Sequence, residues 1–89
     1  MSDFRDLWNK SDFLTPERKA KIELEVELIG KIIEAREEKG ITQEKLAELS
    51  GLKQPAIARM EKMTSTPQIE TLLKVLDPLG YKLAIVPKK

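Results

Sequence analysis

The stretch Ile41-Thr42-Gln43-Glu44-Lys45-Leu46-Ala47-Glu48-Leu49-Ser50-Gly51-Leu52-Lys53-Gln54-Pro55-Ala56-Ile57-Ala58-Arg59-Met60-Glu61-Lys62 decides the fold. Thr42 stands where a hydroxyl can accept from the first unpaired N–H groups of a helix. It caps a short helix containing Leu46, Ala47 and Leu49. Ser50-Gly51-Leu52 makes a tight connection, glycine supplying the turn. A second short helix is predicted from Gln54 to Met63, with Pro55 tolerated in its first turn and Ile57 and Met60 facing inward. Met60 and Met63 read as packing or turn residues.

Outward from this unit, glycine and proline divide the chain further. Thr15-Pro16-Glu17 combines a capping threonine, a proline suited to the first helical position and an acid favoured by the helix dipole. The alternation of Ile22, Leu24, Val26 and Leu28 with glutamates would by itself suggest a strand. Ile22, Val26, Ile29 and Ile33 instead follow 4-3-4 spacing among strong helix formers, so a helix is predicted up to Lys39-Gly40. Its apolar positions cover an arc of roughly 200°, wider than the roughly 100° a one-sided surface helix needs. The excess, chiefly Leu24 and Leu28, suggests a second buried contact. A fourth helix should start at Thr66-Pro67 with Ile69, Leu72, Leu73, Val75 and Leu76 along one side, and end or kink at Asp77-Pro78. Beyond Gly80, Tyr81–Val86 reads as a strand stopped by Pro87. A lone strand has unpaired edges, and a second copy of the chain is the simplest partner. The expected fold is all-α: a small bundle of four or five helices plus one C-terminal β-strand pairing across a dimer. Residues 1–14 form an N-terminal arm, 15–80 a helical domain with the two-helix unit at 42–63, and 81–89 the strand and tail.

Composition narrows the chemistry. The 89 residues contain no cysteine and no histidine. That excludes disulfides, a thiol nucleophile, a Cys/His zinc site and a side chain of ordinary pKa near neutrality. Catalysis, a metal and a cofactor are not expected, nor is a small-molecule ligand. Four aromatics, Phe4, Trp8, Phe13 and Tyr81, are too few for a base-stacking platform. The absence of a run of about 18 apolar residues and of a basic-then-apolar N-terminus points to a cytoplasmic protein without membrane association. The formal net charge of +1 conceals an asymmetry: ten acids oppose eight bases in residues 1–40, and five oppose eight in residues 41–89.

Two short helices joined in this way are the helix-turn-helix arrangement, whose second helix enters the DNA major groove. The sequence from Ile41 to Lys62 resembles the Xre/Cro helix-turn-helix family, through Gln43, Leu46-Ala47, Gly51, Gln54, Ile57, Arg59 and Glu61. The resemblance spans about residues 28–79. It implies a phosphate contact for Gln43 and outward positions for Gln54, Pro55, Ala58 and Arg59. Gln54 can pair with adenine, and Arg59 with the N7 and O6 acceptors of guanine. Pro55 departs from the polar residue often found there and offers only apolar contact. Lys53 is suited to a base or a phosphate, or else is ordinary surface. Lys62, Thr64, Ser65 and Thr66 resemble the family's backbone-gripping segment. Arg36 and Glu61 match a family ion pair that orients the recognition helix.

Two further features resemble particular members. Leu79–Val86 looks like the dimerisation strand of HipB- and HigA-like antitoxins, with Tyr81, Leu83 and Ile85 as pairing residues. The acidic arm and long helix resemble HigA-type antitoxins of type II toxin-antitoxin systems. That implies a small basic ribonuclease toxin as partner, held by Phe4, Leu7, Trp8, Phe13, Leu14, Leu24 and Leu28. The arm alternatively is a tail or a short helix folded on the domain. The function expected is a homodimeric repressor that binds double-stranded operator DNA, autoregulates its operon and neutralises the toxin. The alternatives are a phage-type or housekeeping regulator without a toxin, a protein-interaction adaptor and, most weakly supported, an enzyme.

Overall fold

The computed structural model describes residues 15–88. Among them lie four helices: α1 (Pro16–Glu38), α2 (Gln43–Ser50), α3 (Gln54–Glu61) and α4 (Ile69–Leu79). No helix among the described residues is long and apolar enough to cross a membrane.

Local chemistry accounts for the starts and stops. Thr15 and Thr42 accept from the N–H groups of Arg18 and Lys45 at 3.1 and 3.0 Å, and Pro16 occupies the first turn of α1. The helix-period reading of residues 22–33 therefore prevails over the alternation, as the propensities of glutamate, lysine and leucine require. α1 buries Ile29, Ile32 and Ala35, all in its second half, against Leu46 and Ala47 of α2, Ile57 and Met60 of α3, and Leu72, Val75, Leu76 and Leu79 of α4. α2 packs on α3 and α4, and α1 contacts both of those helices.

The structure revises the sequence expectations at five places, the first being α3, which stops at Glu61 and not at the expected Met63, whose φ of 59° is left-handed. α4 starts at Ile69 with Gln68 as N-cap, later than Thr66-Pro67 implied, and it runs through Asp77 and Pro78 instead of ending there. Pro78 lies in the final turn, and the Lys74 carbonyl it leaves without an N–H belongs to an exposed residue that water can reach. Burial of Leu79 and the cap at Gly80, whose φ is 85°, carry the turn to completion. Leu49, Ile69 and Leu73 are exposed although apolar. The wide apolar arc of α1 is used only in part: Leu28 is half-buried against the core, whereas Leu24 stays 55% exposed. Residues 81–86, expected to form a strand, carry no regular secondary structure in the single chain. Inter-strand pairs supply a strand's backbone hydrogen bonds, and one chain offers this segment no second strand among the described residues.

α3 ends in a different way from its neighbours. Met63 N–H bonds the Met60 carbonyl at 3.0 Å and Thr64 N–H the Arg59 carbonyl at 3.2 Å, the paired bonds of a Schellman turn. The left-handed position of that turn is held by Met63, at φ 59°, where α4 uses Gly80. A side chain there costs about 1–2 kcal/mol, partly offset by the entropy a glycine loses on folding. Met63→Gly should therefore raise stability by about 0.5–1 kcal/mol in chemical denaturation, and Gly80→Ala should lower it by about 1 kcal/mol.

Candidate nucleic-acid interface

The side chains singled out in the sequence converge where α1, α2 and α3 meet. Arg36, near the end of α1, donates from Nε to Glu61 Oε2 at 2.8 Å and from Nη2 to Glu61 Oε1 at 3.1 Å. Its third contact, Nη1 to the Ile41 carbonyl at 2.9 Å, fastens the turn between α1 and α2. The two side chains are 14% and 7% exposed, so the expected ion pair is present, bidentate and largely removed from water. Hydrogen bonding to Glu61 holds the Arg36 guanidinium above its ordinary pKa, outweighing the opposing effect of burial.

The network extends beyond the pair. Gln43, the first residue of α2, donates from Nε2 to Glu61 Oε1 at 2.9 Å. Gln54, the first residue of α3, donates from Nε2 to Gln43 Oε1 at 2.8 Å. An unbroken path thus runs from a part-buried ion pair through two amides to the start of α3. Among the described residues no buried side-chain nitrogen or oxygen lacks a partner.

Around this path, Lys53, Pro55 and Arg59 are exposed and Ala58 is half-buried. Ile57 and Met60 take the opposite face of α3 into the core. Lys62, Thr64, Ser65 and Thr66 are exposed in the following loop, where Thr64 Oγ1 bonds the Arg59 carbonyl at 3.2 Å. One residue at this loop had no signal in the sequence. Lys21 of α1 donates from Nζ to Thr66 Oγ1 at 3.1 Å and lies 3.7 Å from Glu25. Forty-five residues separate Lys21 from Thr66, and no local pattern reports such a contact.

The other expected site residues are apart from this face. Tyr81, Leu83 and Ile85 are exposed beyond α4, with Tyr81 beside a shallow hollow that Ala35 and Leu79 also line. Leu24 is exposed and Leu28 half-buried on α1. Phe4, Leu7, Trp8, Phe13 and Leu14 lie outside the described residues.

A capped brace, a glycine turn and a second helix with a polar outer face define a helix-turn-helix protein. Residues 32–86 match the model of the helix-turn-helix family. The chain is 48% identical over 82 residues, 90% of its length and 84% of the relative's, to an uncharacterized HTH-type transcriptional regulator of Haemophilus influenzae. It is 39% identical over 54 residues to the HTH-type transcriptional regulator PuuR of Escherichia coli, across 61% of this chain and 29% of PuuR. Among solved structures, the toxin-antitoxin module from Streptococcus pneumoniae superposes with a TM-score of 0.75 at 43% identity, covering 100% of this chain and 96% of that one. The chain belongs to the Xre-like helix-turn-helix family of transcriptional regulators.

Two outcomes follow for the ion pair. Arg36→Met alone leaves Glu61 buried without its counter-ion and should cost about 3–5 kcal/mol in urea denaturation, whereas Arg36→Met with Glu61→Leu should recover much of that loss. A raised arginine pKa contributes stability that is complete below the guanidinium's ordinary, strongly alkaline range and is lost only above it. With no histidine or cysteine, the midpoint of thermal unfolding should stay level from about pH 6 to about pH 8.

Proposed function

We propose that this protein is a homodimeric operator-binding repressor and the antitoxin of a toxin-antitoxin pair, autoregulating its operon and neutralising a small basic ribonuclease toxin. The observation that carries the antitoxin part is the likeness to the Streptococcus pneumoniae toxin-antitoxin module. It extends over the whole chain, well past the helix-turn-helix, at 43% identity.

On DNA, α3 enters the major groove with Gln54, Pro55, Ala58 and Arg59 toward the base edges. Gln54 gives one N–H to Gln43 and keeps its Oε1 and its second N–H. These complement the N6 donor and N7 acceptor of adenine. Arg59 takes the N7 and O6 of guanine, and Pro55 meets a thymine methyl. Gln43 keeps one N–H for a phosphate at the N-terminus of α2, while Lys53, Lys62, Thr64, Ser65 and Thr66 grip the backbone. One copy makes few such contacts. Pairing of residues 81–86 across a two-fold axis, through Tyr81, Leu83 and Ile85, doubles them and sets the two α3 helices about 34 Å apart on a palindromic site.

Residues 1–30 hold the toxin. Phe4, Leu7, Trp8, Phe13, Leu14 and the exposed Leu24 serve as apolar anchors, Leu28 serves at the margin of the core, and the acids face a basic surface. The PuuR match, confined to 54 residues, favours a second reading in which the chain is a regulator with no toxin partner.

Arg59→Ala should cost about 1–3 kcal/mol on the preferred duplex and relax selectivity at one position. Lys62→Ala should weaken all duplexes alike and reduce the salt slope by about one. Truncation after Gly80 should convert the dimer to a monomer in sedimentation equilibrium. Co-expression with the untagged product of the adjacent reading frame should yield a co-purifying complex that protects residues 15–30 from hydrogen exchange. Absence of both the complex and the protection would leave only the toxin-free regulator.

A further inference from the structure

We infer that Glu61 determines which base Gln54 reads, by fixing the direction of the two amides that lie between them. The inference rests on the DNA-binding proposal above and deepens it. Glu61 is thereby a positioning residue for specificity.

A glutamine amide has nearly the same shape when turned over, but the turn exchanges an acceptor for a donor. Its direction is therefore set by its neighbours. At the root of the path stands a carboxylate, which accepts only, contacted at both oxygens by a guanidinium, which donates only. Arg36 cannot readily swing away, because its Nη1 is held by the Ile41 carbonyl. Gln43 can meet Glu61 only with its NH2 group, and its Oε1 is then turned toward Gln54. That oxygen also only accepts, so Gln54 must offer its own NH2 group inward. The outer end is left with one acceptor and one donor.

The consequence appears in the major groove. Adenine presents a donor at N6 and an acceptor at N7, whereas guanine presents two acceptors, N7 and O6. The observed direction matches adenine. In the reversed direction Gln54 accepts from Gln43 through Oε1 and turns two N–H groups outward, which matches guanine. Replacing Glu61 by glutamine preserves the shape and removes the acceptor-only end, so both directions become available.

The test uses the full chain and duplexes enriched by the wild-type protein from a random pool, followed by competition titrations with each half-site base replaced in turn. Gln54→Ala identifies the position that Gln54 reads. There, the wild type should prefer adenine over guanine by at least about fivefold. Glu61→Gln should reduce that ratio below about twofold through a gain in guanine binding, with selectivity at other positions and the salt slope unchanged. Should Glu61→Gln fail to fold with Arg36 unpaired, the double variant Arg36→Met, Glu61→Gln removes the unpaired guanidinium and should show the same change. An unaltered adenine preference in a folded variant, or an equal loss of affinity for every duplex, would overturn the proposal and leave the DNA-binding proposal standing. A wild-type preference for guanine at the Gln54 position would do the same. Failure of the wild type to enrich any sequence would overturn both.

Discussion

A carboxylate that is 7% exposed must be surrounded by donors, and Glu61 finds them on α1 and α2 while itself standing at the end of α3. Three helices are thus referenced to one side chain. Packing of Ile32, Leu46 and Ile57 supplies the driving force for bringing the helices together, but apolar contact tolerates small rotations. Bidentate bonds at 2.8 and 3.1 Å tolerate them much less, because the guanidinium fork has fixed geometry. The desolvation of such a pair offsets much of its attraction. The contribution we propose for it is the orientation of α3 and, through Gln43, the position of Gln54.

Much of this was legible in the sequence, for reasons that differ by residue. Thr15, Thr42 and the proline at the start of α1 act within one helical turn, so their effects can be read locally. The Arg36–Glu61 pair was legible through family resemblance alone, since nothing in the spacing of two residues 25 apart brings them into contact. The bonds from Gln54 to Gln43 and from Gln43 to Glu61 depend on the rotation of α2 against α3, a tertiary quantity absent from any helical period. Lys21 and Thr66 are a further case, reaching across 45 residues. Pro78 does not stop α4 for a physical reason: a proline's missing N–H matters little in a last turn whose freed carbonyl belongs to an exposed residue and whose neighbour Leu79 is buried. Residues 81–86 read as a strand because their pattern suits one, but strand formation needs a second strand that the described residues of one chain do not provide.

The two ends of the chain have different chemical character. Residues 41–89 carry the basic excess and the outward polar face of α3, as contact with phosphate and base edges requires. Residues 1–40 carry the acidic excess, and on α1 the exposed apolar side chains Leu24 and Val26 accompany it. The near-zero net charge is the sum of these unlike surfaces. α1 joins them physically: its second half is core, and from its first half Lys21 reaches the loop that follows α3. A partner seated on the first half of α1 would therefore lie within reach of the segment assigned to DNA.

The base assigned to Gln54 depends on the amide path existing in solution with the direction described. Side-chain amide spectra of the uniformly 15N-labelled free protein near neutral pH observe it directly. The account predicts that Gln43 and Gln54 each show one amide proton shifted downfield and exchanging slowly with solvent, held by Glu61 and by Gln43 respectively, while the second proton of each exchanges freely. Rapid exchange of all four protons, with shifts like those of exposed Gln68, would contradict it.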